Sequence, residues 1–85
     1  MLLTLIPMTT ILYRTVNERE RYYSLQILPN LFGETLVIRS YGAKKNVKAT
    51  GTIQEVYANE ADAQCKVDVL IASKRLKGYH PFDHN

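Results

Sequence analysis

The stretch Asn59-Glu60-Ala61-Asp62-Ala63-Gln64-Cys65-Lys66-Val67-Asp68-Val69-Leu70-Ile71-Ala72-Ser73-Lys74-Arg75-Leu76-Lys77-Gly78 decides the fold class. Asn59 is a strong helix N-cap, because its side-chain oxygen accepts from an amide that the first turn leaves unpaired. Asp62 stands three residues on, in the place of the acidic member of a capping box. Ala61, Cys65, Val69, Ala72 and Leu76 then recur at steps of 4, 4, 3 and 4. That spacing lays all five on one stripe of a helix, expected to face a core, with Cys65 as a small buried thiol on it. Glu60 and Asp62 sit in the first turn, and Lys74, Arg75 and Lys77 in the last, so both ends complement the helix dipole. Gly78 is the expected stop, just past the C-cap.

Upstream the pattern changes from helical to alternating. Residues 11–16 are rich in Ile, Leu, Tyr and Val and read as a first strand. Asn17–Arg21 is charged and turn-like. From Tyr22 to Leu28, Tyr23, Leu25 and Ile27 alternate with Tyr22, Ser24 and Gln26, the period of a half-buried strand. Pro29-Asn30 ends it and Gly33 lies in the following turn. Thr35–Tyr41 is the third strand, with Leu36, Ile38 and Ser40 on one face and Thr35, Val37, Arg39 and Tyr41 on the other. Gly42 is expected to let the chain change direction into a basic loop at 43–48. Ala49–Tyr57 reads as a further strand, bulged near Gly51. The expected fold is therefore α+β: an antiparallel sheet of four to five strands with one long helix packed on a face. Residues 1–10 are assigned to an N-terminal arm, 11–79 to the domain and 80–85 to a short tail.

Length and composition narrow the function classes. Eighty-five residues make one domain, with a stability on the order of 5 kcal/mol. One cysteine excludes an internal disulfide framework and a multi-cysteine zinc module, and suits a reducing, cytoplasmic setting. The apolar start is interrupted by Pro7, lacks a basic leader and is much shorter than the roughly 20 residues of a membrane span, so no membrane is expected. Trp is absent, while Tyr occurs six times. The formal charge of +3 is uneven. Residues 1–38 are neutral, and 39–52 carry +4 through Arg39, Lys44, Lys45 and Lys48. Residues 53–70 carry −3, and 71–85 carry +2, with Lys74, Arg75 and Lys77. Two basic islands flanking an acidic one suit an anion-binding face if they converge.

Catalytic signatures are lacking. There is no Gly-rich phosphate loop, paired-carboxylate motif or nucleophile elbow. His80 and His84 are four apart, but Pro81 between them disfavours the helix that would aim both at a metal. Cys65 with a histidine is set aside as a nucleophilic pair because a thiol on an apolar stripe is usually inert. No enzyme, metal or cofactor is expected. The densest chemistry is at 39–48, where Arg39 and Tyr41 share a strand face and Lys44, Lys45 and Lys48 follow Gly42. An aromatic ring beside a guanidinium, with lysines close by, suits a nucleic-acid sugar or base together with its phosphates.

The run Leu31-Phe32-Gly33-Glu34-Thr35-Leu36-Val37-Ile38-Arg39-Ser40-Tyr41-Gly42, with the later run Ala72-Ser73-Lys74-Arg75-Leu76-Lys77-Gly78-Tyr79, resembles the WGR domain family. The first run resembles the strand that carries the family's Trp-Gly-Arg motif and an Arg two positions before it. The second resembles the basic ending of the family's helix, and the likeness spans about residues 11–79. It implies a small antiparallel sheet with one helix and no catalytic activity or cofactor. It also implies a role like that of the domain in poly(ADP-ribose) polymerases, where the motif Trp contacts a sugar at a DNA end and basic residues hold phosphates. Here Tyr41 stands at the Trp position, Ala43 at the Arg position, and Lys44-Lys45-Asn46 replaces a Gly-containing turn.

The expected function is a non-catalytic module that binds DNA, or RNA, through Arg39, Tyr41, Gly42, Lys44, Lys45, Lys48, Lys74, Arg75 and Lys77. The alternative is a protein-interaction module that has lost nucleic-acid binding. Its motivation is Ala43 and the apolar arm of Leu2, Leu3, Leu5, Ile6 and Met8, which suits a homo-oligomer formed along a sheet edge.

Overall fold

The computed structural model describes residues 8–45 and 48–81. Four antiparallel strands, β1 (Met8–Val16), β2 (Arg19–Pro29), β3 (Thr35–Ala43) and β4 (Gly51–Tyr57), form a sheet in the order β1-β2-β3-β4. The helix α1 (Glu60–Leu76) follows β4 and lies against β2, β3 and β4. The fold is the expected α+β arrangement, with four strands among the described residues. No helix among the described residues is long and apolar enough to cross a membrane.

Alternation fixes which side chains meet the helix. Leu12, Tyr23, Leu25, Ile27 and Val37 all point to one face of the sheet and are buried there with Ala63 and Val67 of α1. Tyr57, Leu70, Ile71 and Tyr79 pack around them. No helix among the described residues lies on the other face, which carries Ile11, Tyr13, Tyr22, Ser24, Gln26 and Ser40 along an open groove.

The helix ends are as expected. Asn59 Oδ1 accepts from the Asp62 N–H at 2.8 Å, while Asn59 Nδ2 donates to Asp62 Oδ2 at 3.3 Å. At the other end the Tyr79 N–H donates to the Lys74 carbonyl and the Gly78 N–H to the Arg75 carbonyl, both at 3.0 Å. This is a Schellman closure, and Gly78 takes the left-handed conformation it demands (φ +96°). The face of the helix is not as expected. The inward stripe is Ala63, Val67, Leu70 and Ile71, whereas Ala61, Cys65, Val69, Ala72 and Leu76 are exposed. Both stripes are apolar at helical spacing. The bulkier one, with adjacent Leu70 and Ile71, fills the space above the sheet, and Cys65 is a free, exposed thiol.

Strand boundaries differ from the sequence expectation for local reasons. β1 starts at Met8 rather than at residue 11, pairing Met8 with Ile27. β2 starts at Arg19 because the β1–β2 turn needs only Asn17 and Glu18, both left-handed at φ 51° and 66°. That is the geometry of a two-residue type I′ hairpin. Glu18 bears the backbone strain of a side chain in that region. Glu18→Gly is therefore expected to stabilise the domain by about 0.5–1 kcal/mol, read as a raised urea midpoint at unchanged slope.

Gly42 does not turn the chain. β3 runs through it, paired with Tyr22, and a Cβ at Gly42 would crowd the Thr50 amide at 3.0 Å. The direction changes after Ala43. The bulge expected near Gly51 is absent, since Gly51 pairs in register with Tyr41. His80 is not loose tail. It forms an antiparallel bridge with Tyr13, whose N–H donates to the His80 carbonyl at 2.8 Å, while the His80 N–H donates back at 2.9 Å.

Candidate nucleic-acid interface

The Schellman turn and the His80 bridge together return the chain from the helix end to the edge of the sheet. They set Tyr79 beside Tyr23 in an edge-to-face contact, with ring centroids 6.2 Å apart at 61°. The Lys74 ammonium, pointing down from the last helical turn, lies 4.4 Å from the Tyr23 ring centroid and 5.7 Å from that of Tyr79. The Arg14 guanidinium reaches the same Tyr79 ring from β1, at 6.0 Å. A cation held by two phenol rings is attracted by their negative faces.

Arg39 and Tyr41 come from β3 on the same sheet face, as alternation requires. Arg39 Nη2 lies 3.1 Å from Glu55 Oε1, a diagonal neighbour on β4. The alignment is poor: Arg39 Nε and Glu55 Oε1 are both buried without a hydrogen-bond partner. Burial disfavours the Arg39 charge, but the Tyr23 hydroxyl, together with the charge of Glu55, raises its pKa above the usual arginine value. Tyr57 donates to Glu55 Oε2 at 3.5 Å, and its own pKa is raised, by burial first and then by the Glu55 charge.

Tyr41 is the cross-strand partner of Tyr23 on β2 and of Gly51 on β4. Its ring lies over Gly51, where a Cβ would overlap the Tyr41 hydroxyl and Cζ. Glycine at 51 thus gives the ring its seat, and 39% of the residue remains exposed.

Electrostatics ties these groups together. Lys74 has a lowered pKa, through burial first and then through the positive charges of Lys77 and Arg39. Lys74 is thus near enough to Lys77 and to Arg39 to be opposed by their charges, and a bound anion relieves that opposition. The two basic islands do converge, but only through part of each. Lys74 meets the sheet face of Arg39 at Tyr23, with Lys77 three residues on, whereas Arg75 is exposed on the flank of the helix.

The lysines of the 43–48 loop go elsewhere. Lys44 lies on the opposite side of the sheet because β3 continues straight through Gly42. Its Nζ is 3.0 Å from Glu20 Oε2 and 5.5 Å from the Tyr13 ring centroid. Lys45 is exposed beside a groove of about 630 Å³ lined also by Glu18, Arg19, Glu20, Arg21 and Lys44, where two carboxylates offset two of the four cations. Lys48 is exposed, and Gly42 is buried in the strand. Asn46 and Val47, like residues 1–7 of the arm and 82–85 of the tail, lie outside the described residues.

Four residues of the site carry no role in the sequence reading: Arg14, Tyr23, Glu55 and Tyr79. Tyr23 and Tyr79 had visible signals, one on the Leu25–Ile27 face of its strand and the other directly after the helix-stopping Gly78. Among the described residues no three potential metal ligands gather.

The chain, a helix laid on an antiparallel sheet, also matches a known family. The WGR domain family matches residues 8–85. The chain belongs to the WGR domain family. No curated protein and no solved structure matches it. WGR domains are known as nucleic-acid-binding modules in proteins of the poly(ADP-ribose) polymerase kind.

Proposed function

We propose that this WGR domain is a non-catalytic module that binds nucleic acid, DNA foremost, through the face formed by Arg14, Arg39, Tyr41, Lys74 and Lys77. The observation that carries the reading is the Lys74 ammonium seated 4.4 Å from the Tyr23 ring centroid, on the sheet face that also bears Arg39 and Tyr41; burial first, and then the charges of Lys77 and Arg39, lower its pKa. A cation disfavoured by burial and by neighbouring positive charge gains from a polyanion. The half-exposed ring of Tyr41 flanks them and supplies a surface for a sugar or base, worth about 1–3 kcal/mol if it stacks on a base. Arg39 enters this site already paired with Glu55, so a phosphate has to compete with that carboxylate. Lys77 and Arg14 are the readier contacts. The reading is non-catalytic because the site offers cations and phenols, and Cys65 stands apart from them on the outer side of the helix.

The test is a fluorescence polarisation titration with blunt, nicked and single-stranded oligonucleotides at two salt concentrations. The expected result is binding at about 50 mM salt that weakens steeply as salt rises. Absence of binding at 50 mM, where phosphate-driven affinity is strongest, refutes it. In that case the protein-interaction reading takes its place. One specific observation favours that second reading: Leu31 and Phe32, at the tip of the β2–β3 turn, are 98% and 85% exposed. The turn itself is firmly built, since Asn30 Oδ1 accepts from the amides of Phe32 and Glu34, each at 2.9 Å.

A further inference from the structure

The outward stripe of α1 is as regular as the inward one. Cys65, Val69, Ala72 and Leu76 follow at steps of 4, 3 and 4, the a/d spacing of a helix that packs on another helix. Val69 is 59% exposed and Leu76 91%, and no described element covers them. The charges beside the stripe are also ordered along it. Asp68 and Arg75 occupy one flank a heptad apart, and the helix is acidic in its first turn and basic in its last.

We propose that this stripe is a self-association surface on which the α1 helix of a second copy of the chain packs antiparallel about a two-fold axis. The axis passes between Val69 and Ala72. Val69 then faces the second copy's Ala72, and Cys65 faces the second copy's Leu76, so each larger side chain meets a smaller one. In an antiparallel pair with this register, Asp68 lies across from the second copy's Arg75, and symmetry repeats the contact. A parallel pairing instead sets Asp68 across from the second copy's Ser73, which forms no charge pair, and brings like helix ends against each other. The charge pattern therefore selects the antiparallel, self-complementary mode. The two Cys65 thiols end up well apart, about 16 Å by helical rise across eleven residues, so a disulfide does not hold the dimer. The seam has two distinct layers, each repeated by the two-fold axis, still smaller than a stable interface requires, so the association is weak and reversible.

Sedimentation equilibrium on the full chain, in reducing buffer, tests this. Between about 10 μM and 1 mM the weight-average mass is expected to rise from that of one chain toward that of two. Val69→Asp is expected to leave a monomer throughout, with an unchanged circular dichroism spectrum because the residue is exposed. Asp68→Arg alone and Arg75→Asp alone are each expected to weaken the dimer about tenfold, since every change acts twice. The double variant Asp68→Arg/Arg75→Asp is expected to recover to within about twofold of the parent, because only the pair restores opposite charges across the seam. A chain that stays monomeric at 1 mM overturns the proposal. So does association that survives Val69→Asp, or a double variant no better than its single parents.

Discussion

Replacing Lys74 and Lys77 together by glutamine is expected to weaken nucleic-acid binding about 100-fold at 50 mM salt. Each lysine that neutralises a phosphate releases counterions, and at that salt one such contact is worth about tenfold. The dependence of log affinity on log salt is expected to become shallower by about 2, one unit for each lost contact. Lys74 adds a proton-linked component. Burial and the charges of Lys77 and Arg39 lower its pKa in the free protein. A phosphate favours the protonated ammonium, so binding takes up protons wherever free Lys74 is partly neutral. Affinity therefore falls as pH rises into the alkaline range, sooner than for an ordinary lysine, and the glutamine variant loses this component. Polarisation titrations at several salt concentrations and pH values read both effects. A change of less than about twofold, with an unaltered salt slope, would place the binding surface elsewhere.

Replacing Leu25 by alanine is expected to destabilise the domain by about 3 kcal/mol. Leu25 is 1% exposed at the centre of the sheet face that meets the helix, among Leu12, Ile27, Val37, Ala63 and Val67. Truncation leaves a cavity that β2, hydrogen-bonded on both sides by β1 and β3, cannot collapse to fill. For a domain whose total stability is on the order of 5 kcal/mol, this removes most of the margin. Urea unfolding followed by circular dichroism should show the midpoint falling by roughly 2–3 M, for a slope near 1 kcal/mol per molar. A loss under 1 kcal/mol would mean that the helix–sheet core is not what holds the fold.

Local signals carried the architecture well. The N-cap at Asn59 and the stop at Gly78 are chemical features of a few adjacent residues, so they can be read without tertiary information. The alternation of Tyr23, Leu25 and Ile27, and of Val37, Arg39 and Tyr41, similarly told which side chains share a face. The helix face was not legible by spacing alone, because two apolar stripes at helical period compete and only the volume above the sheet chooses between them. The larger Leu70 and Ile71 were the available clue.

The site was legible in part for the same reasons. Of the two basic islands, Arg39 lies on the sheet face that Lys74 reaches at Tyr23. Gly42 looks like a hinge in the sequence but is a strand residue kept small by Thr50 and Tyr22. Once β3 runs straight through it, alternation carries Lys44 to the other face, against Glu20. Arg14, Tyr23, Glu55 and Tyr79 depend on strand register and on the return of the chain to Tyr13, which no short motif encodes. The missing Trp takes on a specific meaning in this setting. Tyr41 occupies its place with a ring seated over Gly51, so a planar surface persists beside the cations, although the guanidinium expected at position 43 is replaced by Ala43.

The most direct test of the central claim is a map of amide chemical-shift changes, by two-dimensional nitrogen–proton NMR, as a short DNA duplex is titrated into the labelled protein at low salt. The account predicts that the largest changes gather at Arg14, Arg39, Tyr41, Lys74, Lys77 and Tyr79, at the helix end of the covered sheet face. Changes centred on the open face, at Ile11, Tyr22, Ser24 and Lys44, or no changes at all, would contradict it.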